Sequence, residues 1–221
     1  MIIHNIEELQ KKAIQIRRDL VQMIYNSGGG HIGGSLSSVD ILVSLYYYIM
    51  RINPKDPKWD ERDRFVLSKG HSVEGYYAIL ADLGFFLKEE LQNYRKLGSN
   101  LIGHPNSKVP GVEMSTGALG HGLSIAVGMA LAGKMDNKNY KVYVLMGDGE
   151  LAEAGSNFNL DNLIGIIDRN KLQISGNTED VMKLEDVGER WLSFGWEVLE
   201  VDGHDIKEMV EVFEKLPVKK D

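Results

Sequence analysis

The sequence predicts an α/β fold in which helices cover both faces of a mostly parallel sheet. Apolar runs with the length of buried strands occur at 64–68, 141–146, 163–167 and 196–201. Segments with helical spacing of apolar residues lie between these runs, and strands that alternate with helices form βαβ units. The length of 221 residues suits one domain, 1–221, and we find no internal repeat or linker.

Helices are predicted where apolar residues recur every three or four positions, at 6–26, 39–50, 73–83, 88–96, 119–134, 184–194 and 205–216. Asn5 and Asp205 are the expected N-caps of the first and last of these helices. The stretch 31–38 is predicted to be an irregular loop because it is rich in glycine. The stretch 98–118 is predicted to be a long loop, and such loops are often functional.

The predicted helix 119–134 is unusually rich in small residues, among them Gly122, Ala126, Gly128 and Ala130. Each glycine inside a helix costs about 1 kcal/mol relative to alanine, so several together indicate that another backbone packs closely. Two sources of that backbone remain open at this point. One is a second copy or partner chain, and the other is the sheet of the chain itself.

Composition excludes several classes of function. A net charge of −7 argues against non-specific binding to nucleic acid or to anionic membranes. The absence of cysteine excludes disulfides, cysteine-ligated zinc and thiol catalysis. The first residues lack the features of a secretion signal, and no apolar run approaches the roughly 18 residues that span a bilayer. We therefore expect a cytoplasmic protein without membrane or nucleic-acid partners.

The ends of two strand-like runs carry candidate metal ligands. Asp148 lies between two glycines in the segment Gly147–Glu150, directly after the run 141–146. Asn170 follows the run 163–167 by a similar distance. If these strands are neighbours in a parallel sheet, both side chains emerge at the edge where such folds bind ligands. Carboxylate and amide oxygens suit Mg²⁺ or Ca²⁺, and diphosphate oxygens can fill the remaining positions.

Five of the six histidines directly follow a glycine: His31, His71, His104, His121 and His204. Histidine titrates near neutral pH and both donates and accepts hydrogen bonds. We expect His31, His71 and His104 to meet a polar substrate that exchanges protons. The role of His121 is left open, and His204 is predicted to be structural because it lies beside a helix cap. The spacings do not match a zinc-binding motif.

Taken together, six segments in this order resemble the diphosphate-binding half of the transketolase family of thiamine diphosphate enzymes. The resemblance covers nearly the whole chain. The segments are SGGGHIGGS (27–35), DRFVLSKGH (63–71), GHP (103–105), STGALGHG (115–122), GDGEL (147–151) and DRN (168–170) with its continuation to Gly176. The fold implied is that of a thiamine diphosphate-binding domain.

The resemblance also implies roles for individual residues. A divalent metal would be held by Asp148, Asn170 and the backbone carbonyl of Leu172. Besides the metal ligands Asp148 and Asn170, the cofactor would contact His71, Gly117, Ala118, Leu119, Gly149 and Ile174, with Ile174 near the thiazolium ring. His31 and His104 would face the sugar as the catalytic residues. The cofactor would carry a two-carbon ketol unit from a ketose phosphate to an aldose phosphate, as in the pentose phosphate pathway.

Two departures from the family pattern matter. The half that binds the aminopyrimidine ring is absent, so the chain is most similar to the N-terminal subunit of split transketolases. We expect a separate C-terminal transketolase subunit as partner, assembly as a dimer of heterodimers, and no activity from this chain alone. In addition, the segment 150–159 is about two helical turns shorter than is usual in the family. Either a helix is deleted at Glu153–Ala154 or residues are missing there and beyond Asp221, and we favour the second explanation.

Two other functions compete with this interpretation. One is half of an enzyme similar to 1-deoxyxylulose-5-phosphate synthase, although the segments 67–71 and 103–105 favour transketolase. The other is an inert half that only binds thiamine diphosphate or a protein. The presence of Asp148, Asn170 and His71 argues against an inert protein.

Overall fold

The computed structural model describes residues 2–153, 160–173, 176–181 and 186–217. Its central sheet contains β1 (Arg64–Leu67), β2 (Val142–Gly147) and β3 (Leu163–Asp168), in the order β1-β2-β3. Both strand pairs are parallel. The predicted parallel α/β fold is thus confirmed, and three of the four predicted strands form it.

The helices of the described residues are α1 (Ile6–Ser27), α2 (Ile32–Ser37), α3 (Val39–Ser44), α4 (Val73–Leu83), α5 (His121–Met135), α6 (Thr178–Val181), α7 (Val187–Ser193) and α8 (Ile206–Glu214). Short 3-10 helices cover Gly70–Ser72, Lys88–Asn93 and Asp148–Glu153, and a π-helical turn, Leu45–Ile49, continues α3. A small antiparallel pair consists of β4 (Leu172–Gln173) and β5 (Gly176–Asn177). None of the described helices combines the length and the apolar character needed to cross a bilayer.

Alternate residues of the strands face two separate cores. Phe65, Tyr143 and Leu145 pack into the larger core with α1, α3, α4 and α8. Val66 and Val144 point to the opposite face and pack with α5. Because successive strand residues project to opposite faces, apolar residues at every position require a helix layer on both sides. The predicted three-layer arrangement is confirmed.

The first helix begins and ends at the residues that the sequence indicates. The Asn5 side chain accepts hydrogen bonds from the backbone N–H groups of Glu7 and Glu8, as an N-cap does. Gly28 ends the helix with φ of 73°, in the left-handed region that favours glycine. The buried stripe of this helix follows the predicted spacing: Leu9, Ala13, Ile16, Leu20 and Met23.

The prediction of a loop at 31–38 is wrong, since most of this stretch forms α2. The hydroxyl groups of Ser37 and Ser38 donate to the carbonyl of Gly34, and the Ser35 hydroxyl donates to the buried Glu74. These contacts outweigh the low helix propensity of glycine. The segment 88–96 also differs from prediction, because its helical part is a 3-10 helix.

The prediction of a strand at 196–201 is likewise wrong, because this run forms no ladder with the sheet. A groove lined by residues of both β3 and the run separates the two segments. The Trp196 ring packs edge-on against Trp191, with 4.9 Å between ring centroids, and the Trp196 N–H donates to the Trp191 carbonyl. The local contact with α7 therefore takes the place of strand pairing.

The small residues of α5 serve close packing on the chain's own sheet at one position and face outward at another. A Cβ added to Gly122 would lie 2.7 Å from the Cα of Ser68, at the end of β1. A Cβ added to Gly128 would meet no heavy atom within 4 Å. Of the two sources of a close backbone, the chain's own sheet therefore accounts for Gly122.

This pair of glycines gives a test of the fold within one helix. Gly122→Ala should destabilise the isolated chain by about 1–3 kcal/mol, because the backbone of Ser68 must shift. Gly128→Ala should stabilise it by about 0.5–1 kcal/mol, because alanine is the better residue inside a helix. Urea denaturation of the two variants measures both changes. Equal effects of the two substitutions would contradict the packing of α5 on β1.

Candidate active site

Glu150 joins three structural elements at the carboxyl edge of the sheet. Its side chain is 2% exposed, and its Oε1 accepts hydrogen bonds from the Ser68 hydroxyl and from the Gly120 N–H, the latter at 3.3 Å. Its Oε2 accepts from the Gly147 N–H at 3.2 Å. One carboxylate thus ties the ends of β1 and β2 to the start of α5. Sequence reasoning gave Glu150 no role, although the residue lies in the segment that indicated the site.

A buried ion pair links the ends of the two outer strands. The Lys69 Nζ, on a side chain that is 1% exposed, lies 2.5 Å from the Oδ2 of Asp168. The Ser37 hydroxyl of α2 donates to the same oxygen at 2.6 Å. Both charged residues lie inside motifs that were recognised from sequence, but their pairing across the sheet was not predicted. Their contact fixes α2 over the edge of the sheet.

Asp148 is the first residue beyond β2 and is buried there. Its Oδ1 accepts from the Gly149 N–H at 2.9 Å, and its Oδ2 accepts from the Lys171 N–H at 2.8 Å. Burial raises the pKa of Asp148, the two backbone N–H groups partly offset this rise, and the charge of Asp168 adds to it. Among the described residues no cationic side chain pairs with this carboxylate. The Asp148 carboxylate thus lacks a positive counter-charge within the described structure.

The residues after β3 return to Asp148, as the neighbouring strands predict. Gly147 pairs with Asp168 in the parallel register, so both chains leave the sheet side by side. The contact between Asp148 and the Lys171 N–H brings the backbone next to Asn170 within reach of the carboxylate. The Asn170 side chain is exposed, and its oxygen accepts from the Leu172 N–H at 2.9 Å.

These donors fit a hard divalent cation better than zinc. Among the described residues no cluster of three or more His, Cys, Asp or Glu side chains could hold a metal ion. Any metal here must therefore use the single carboxylate of Asp148 with amide and carbonyl oxygens, which suit Mg²⁺ or Ca²⁺. An unpaired buried carboxylate at this point fits such a cation. Ile174, the predicted thiazolium contact, lies outside the described residues, as does the junction at Glu153–Ala154.

Three imidazole rings from distant parts of the chain come together at the same edge. The ring centroid of His31 lies 5.9 Å from that of His71 and 5.7 Å from that of His104. His31 precedes α2, and His71 lies in the 3-10 turn after β1. His104 belongs to the long loop, and its carbonyl accepts from the Tyr77 hydroxyl at 2.8 Å. The structure therefore brings together the three histidines that the sequence singled out.

The environment of the cluster favours neutral imidazoles. Burial lowers the pKa of His71 to about 4, and the Lys69 ammonium and the other two rings act in the same direction. Burial and His31 lower the pKa of His104 as well. A neutral imidazole has one N–H donor and one acceptor nitrogen. Near neutral pH, His71 and His104 can thus each donate and accept a hydrogen bond.

Glycines allow the backbone segments around the histidines to approach closely. Gly117 has φ of 143°, and a Cβ at this position would lie 2.8 Å from the His104 ring. A Cβ added to Gly70 would lie 2.9 Å from the Cα of Gly117. The backbone that contains Gly117, Ala118 and Leu119 therefore lies directly against the turn that carries His71.

The other two glycine-linked histidines lie away from the cluster contacts. His121 starts α5, is exposed, and its Nδ1 lies 3.1 Å from the Leu119 carbonyl. The His204 Nδ1 lies 2.9 Å from Asp40, which also binds Arg17. His204 thus connects the start of α8 to α3, in agreement with the structural role predicted for it.

Glu74 is the residue of this region that sequence reasoning missed. Its side chain is fully buried and accepts hydrogen bonds from the His31 N–H, the Ser35 hydroxyl and the Tyr94 hydroxyl. A signal was available, since Glu74 is the one charged residue in the buried stretch 73–81 of α4. A lone acid within an apolar helix usually has polar partners.

Comparison with known proteins agrees with this geometry. Residues 9–221 match the family model described as transketolase, thiamine diphosphate binding domain. The transketolase of Campylobacter jejuni has a similar structure, with a TM-score of 0.90 and 37% identity. That match covers 96% of this chain and 36% of the transketolase, so the chain spans about a third of the length of that protein.

Relatives of similar length include subunits of transketolases with other named substrates. One subunit of the apulose-4-phosphate transketolase of Phocaeicola vulgatus is 49% identical over 219 residues, which cover 96% of this chain and 78% of the relative. The 6-deoxy-6-sulfo-D-fructose transketolase subunit SqwG of a Clostridium species is 42% identical over 218 residues, covering 94% and 79%. The resemblance recognised in six short motifs is confirmed. The chain belongs to the transketolase family and contains its thiamine diphosphate-binding domain.

Proposed function

We propose that this chain is the N-terminal subunit of a split transketolase, which transfers a two-carbon ketol unit from a ketose phosphate to an aldose phosphate. The observation that carries the proposal is the cluster of His31, His71 and His104 at the sheet edge that also bears the unpaired Asp148 carboxylate. A protein that only binds a diphosphate has no need of three converging imidazoles. A sugar that exchanges protons while its carbon skeleton is cut does need them.

The proposed cofactor site uses the residues that follow β2 and β3. Asp148, the Asn170 amide oxygen and the Leu172 carbonyl would hold Mg²⁺, or Ca²⁺, against the diphosphate. Further cofactor contacts are proposed for His71, Gly117, Ala118, Leu119, Gly149 and Ile174. When bound, thiamine diphosphate supplies the electron sink that allows a carbon–carbon bond of the ketose to break. The short approach between Gly70 and Gly117 supports a backbone contact at this place.

The histidines would handle the protons of the sugar. His31 and His104 are proposed to face the substrate, each offering a donor and an acceptor to hydroxyl groups near the reacting carbons. The lowered pKa of His104 supports this role, since a neutral imidazole can remove a proton from a hydroxyl group and return it. The lowered pKa of His71, caused mainly by burial, suits a residue that contacts a ligand without becoming charged.

The chain requires a partner under this proposal. Two similar proteins are named as subunits, and the chain covers only about a third of a full-length transketolase. The missing part corresponds to the half that binds the aminopyrimidine ring, so a C-terminal subunit must complete the site. We propose a cytoplasmic dimer of heterodimers that acts on sugar phosphates.

Co-purification tests this proposal directly. The tagged chain should bring down a second polypeptide, and the mixture should transfer a two-carbon unit in the presence of thiamine diphosphate and Mg²⁺. The purified chain alone should show no measurable transfer. A matched control is the mixture with His31→Ala, which should retain assembly and lose activity. Full turnover by the single chain would disprove the need for a partner, and an inactive wild-type mixture would disprove the proposed reaction.

A further inference from the structure

Glu74 lies behind the histidine cluster and holds its parts together. Its Oε1 accepts from the His31 N–H at 2.7 Å and from the Tyr94 hydroxyl at 2.7 Å. Its Oε2 accepts from the Ser35 hydroxyl at 2.6 Å. The side chain is fully buried, so these three donors replace its water shell. A fixed carboxylate thus connects the loop before α2, α2 itself and the residue after the 3-10 helix Lys88–Asn93.

The loop that carries His31 is shaped around this carboxylate. A Cβ added to Gly30 would lie 2.6 Å from the Glu74 Oε1 and 2.9 Å from the Ile24 side chain. Only glycine leaves room for the backbone to pass so close to the acid. The His31 Nδ1 lies 3.8 Å from the same oxygen, so ring and backbone of His31 both approach Glu74.

We propose that Glu74 is a positioning residue for the substrate-facing histidines, fixing the His31 backbone and supplying a buried negative charge behind the three rings. The inference rests on the transketolase function proposed above. Buried carboxylates are costly unless they are hydrogen-bonded, and this one is bonded only to groups that orient the cluster. A simple packing role at the same place would be filled better by an apolar side chain.

The negative charge acts on the two rings beyond His31. Burial lowers the pKa of His71 and of His104, and the Glu74 charge opposes that effect at both. Lys69 acts on His71 in the direction of burial. The charged and titratable groups that surround Glu74 on all sides are His31, His71, His104, Tyr77, Tyr94 and, beside Tyr94, Arg95.

The test uses Glu74→Gln, which keeps the size and an acceptor oxygen but removes the charge. Titration of the imidazoles by NMR in the full chain should show lower midpoints for His71 and His104 than in the wild type. In the two-subunit enzyme kcat should fall at least about tenfold with little change in KM, because positioned proton transfer is weakened. The acid limb of the rate profile should move to lower pH.

Tyr94→Phe is the matched control, since it removes one hydrogen-bond donor from Glu74 and leaves the charge in place. It should leave both titration midpoints and kcat close to those of the wild type. If Tyr94→Phe reproduces the effect of Glu74→Gln, or if Glu74→Gln leaves the midpoints unchanged, the proposal is overturned. The titration needs neither partner nor cofactor, so its result is independent of whether the wild-type mixture proves to be a transketolase.

A measurement on the wild type covers the case in which Glu74→Gln does not fold. The His31 amide should exchange slowly with deuterium, because its N–H is bonded to a buried carboxylate. The amide of Ile102, in the long loop, donates to the carbonyl of Asn100 and provides a loop reference. Exchange of the His31 amide as fast as that of an unbonded loop amide would overturn the positioning role.

Discussion

Replacing Lys69 with methionine should lower the free energy of unfolding by about 3–5 kcal/mol. The ammonium group lies 2.5 Å from Asp168, and the side chains are 1% and 9% exposed. Methionine fills a similar volume but leaves Asp168 buried without a counter-charge, with only the Ser37 hydroxyl to solvate that oxygen. The loss of the partner, rather than the loss of packing, causes the expected destabilisation. Urea denaturation of the isolated chain measures it.

Lys88→Met is the matched control for this prediction. Lys88 pairs with Asp19 at a similar distance, 2.6 Å, but 45% of its side chain is exposed. Removing this exposed pair should cost no more than about 1 kcal/mol. The double variant Lys69→Met, Asp168→Leu should recover most of the stability, because an apolar pair can replace a buried ion pair. Equal losses for Lys69→Met and Lys88→Met would show that the sheet-edge pair is not desolvated as described.

The ion pair also affects the histidine cluster. The Lys69 ammonium lowers the pKa of His71, in addition to the larger effect of burial. Its removal should therefore raise the pKa of His71 in those molecules that remain folded. An element that serves stability thus also helps to keep the imidazole neutral.

The parts of the structure that were predictable from sequence depend on local pattern. The strands around Val66, Val144 and Ile166 are apolar at nearly every position, which requires a sheet covered on both faces. The motif around Asp148 could be interpreted because a glycine-flanked acid after a buried strand has few other uses. The gathering of His31, His71 and His104 followed from the resemblance rather than from their spacing.

The parts that were not predictable depend on contacts between distant residues. Lys69 and Asp168 are 99 positions apart, and nothing in either motif shows that they meet. Glu74 is one acid in the first turn of a helix, where acids are common. The helix α2 forms against its glycine content because its serines bond to the Gly34 carbonyl and to Glu74. The run at 196–201 has a strand-like composition, but composition alone does not provide a partner strand.

Replacing Asp148 with asparagine should weaken Mg²⁺-supported binding of thiamine diphosphate to the two-subunit enzyme by about 100-fold or more. Losing an outer contact of a metal site typically costs 10- to 100-fold in affinity, and loss of the charged ligand itself should cost at least as much. Asp148 is the only carboxylate proposed to bind the metal, so no neighbouring ligand can compensate for its charge. Calorimetry with thiamine diphosphate at fixed Mg²⁺ measures the change. Asp60→Asn, which alters an exposed aspartate, should leave the affinity unchanged.

The pH dependence of cofactor binding provides an independent test of the same carboxylate. Burial raises the pKa of Asp148, so on acidification this group takes up a proton at a higher pH than an exposed aspartate does. A cation binds only the ionised form, and protons therefore compete with Mg²⁺. Affinity in the wild type should fall as the pH is lowered through the raised pKa, and excess Mg²⁺ should restore it by mass action. In Asp148→Asn this component of the pH dependence should be absent. Wild-type affinity for cofactor in Asp148→Asn, with an unaltered pH dependence, would remove Asp148 from the metal site and the divalent cation from this edge of the sheet.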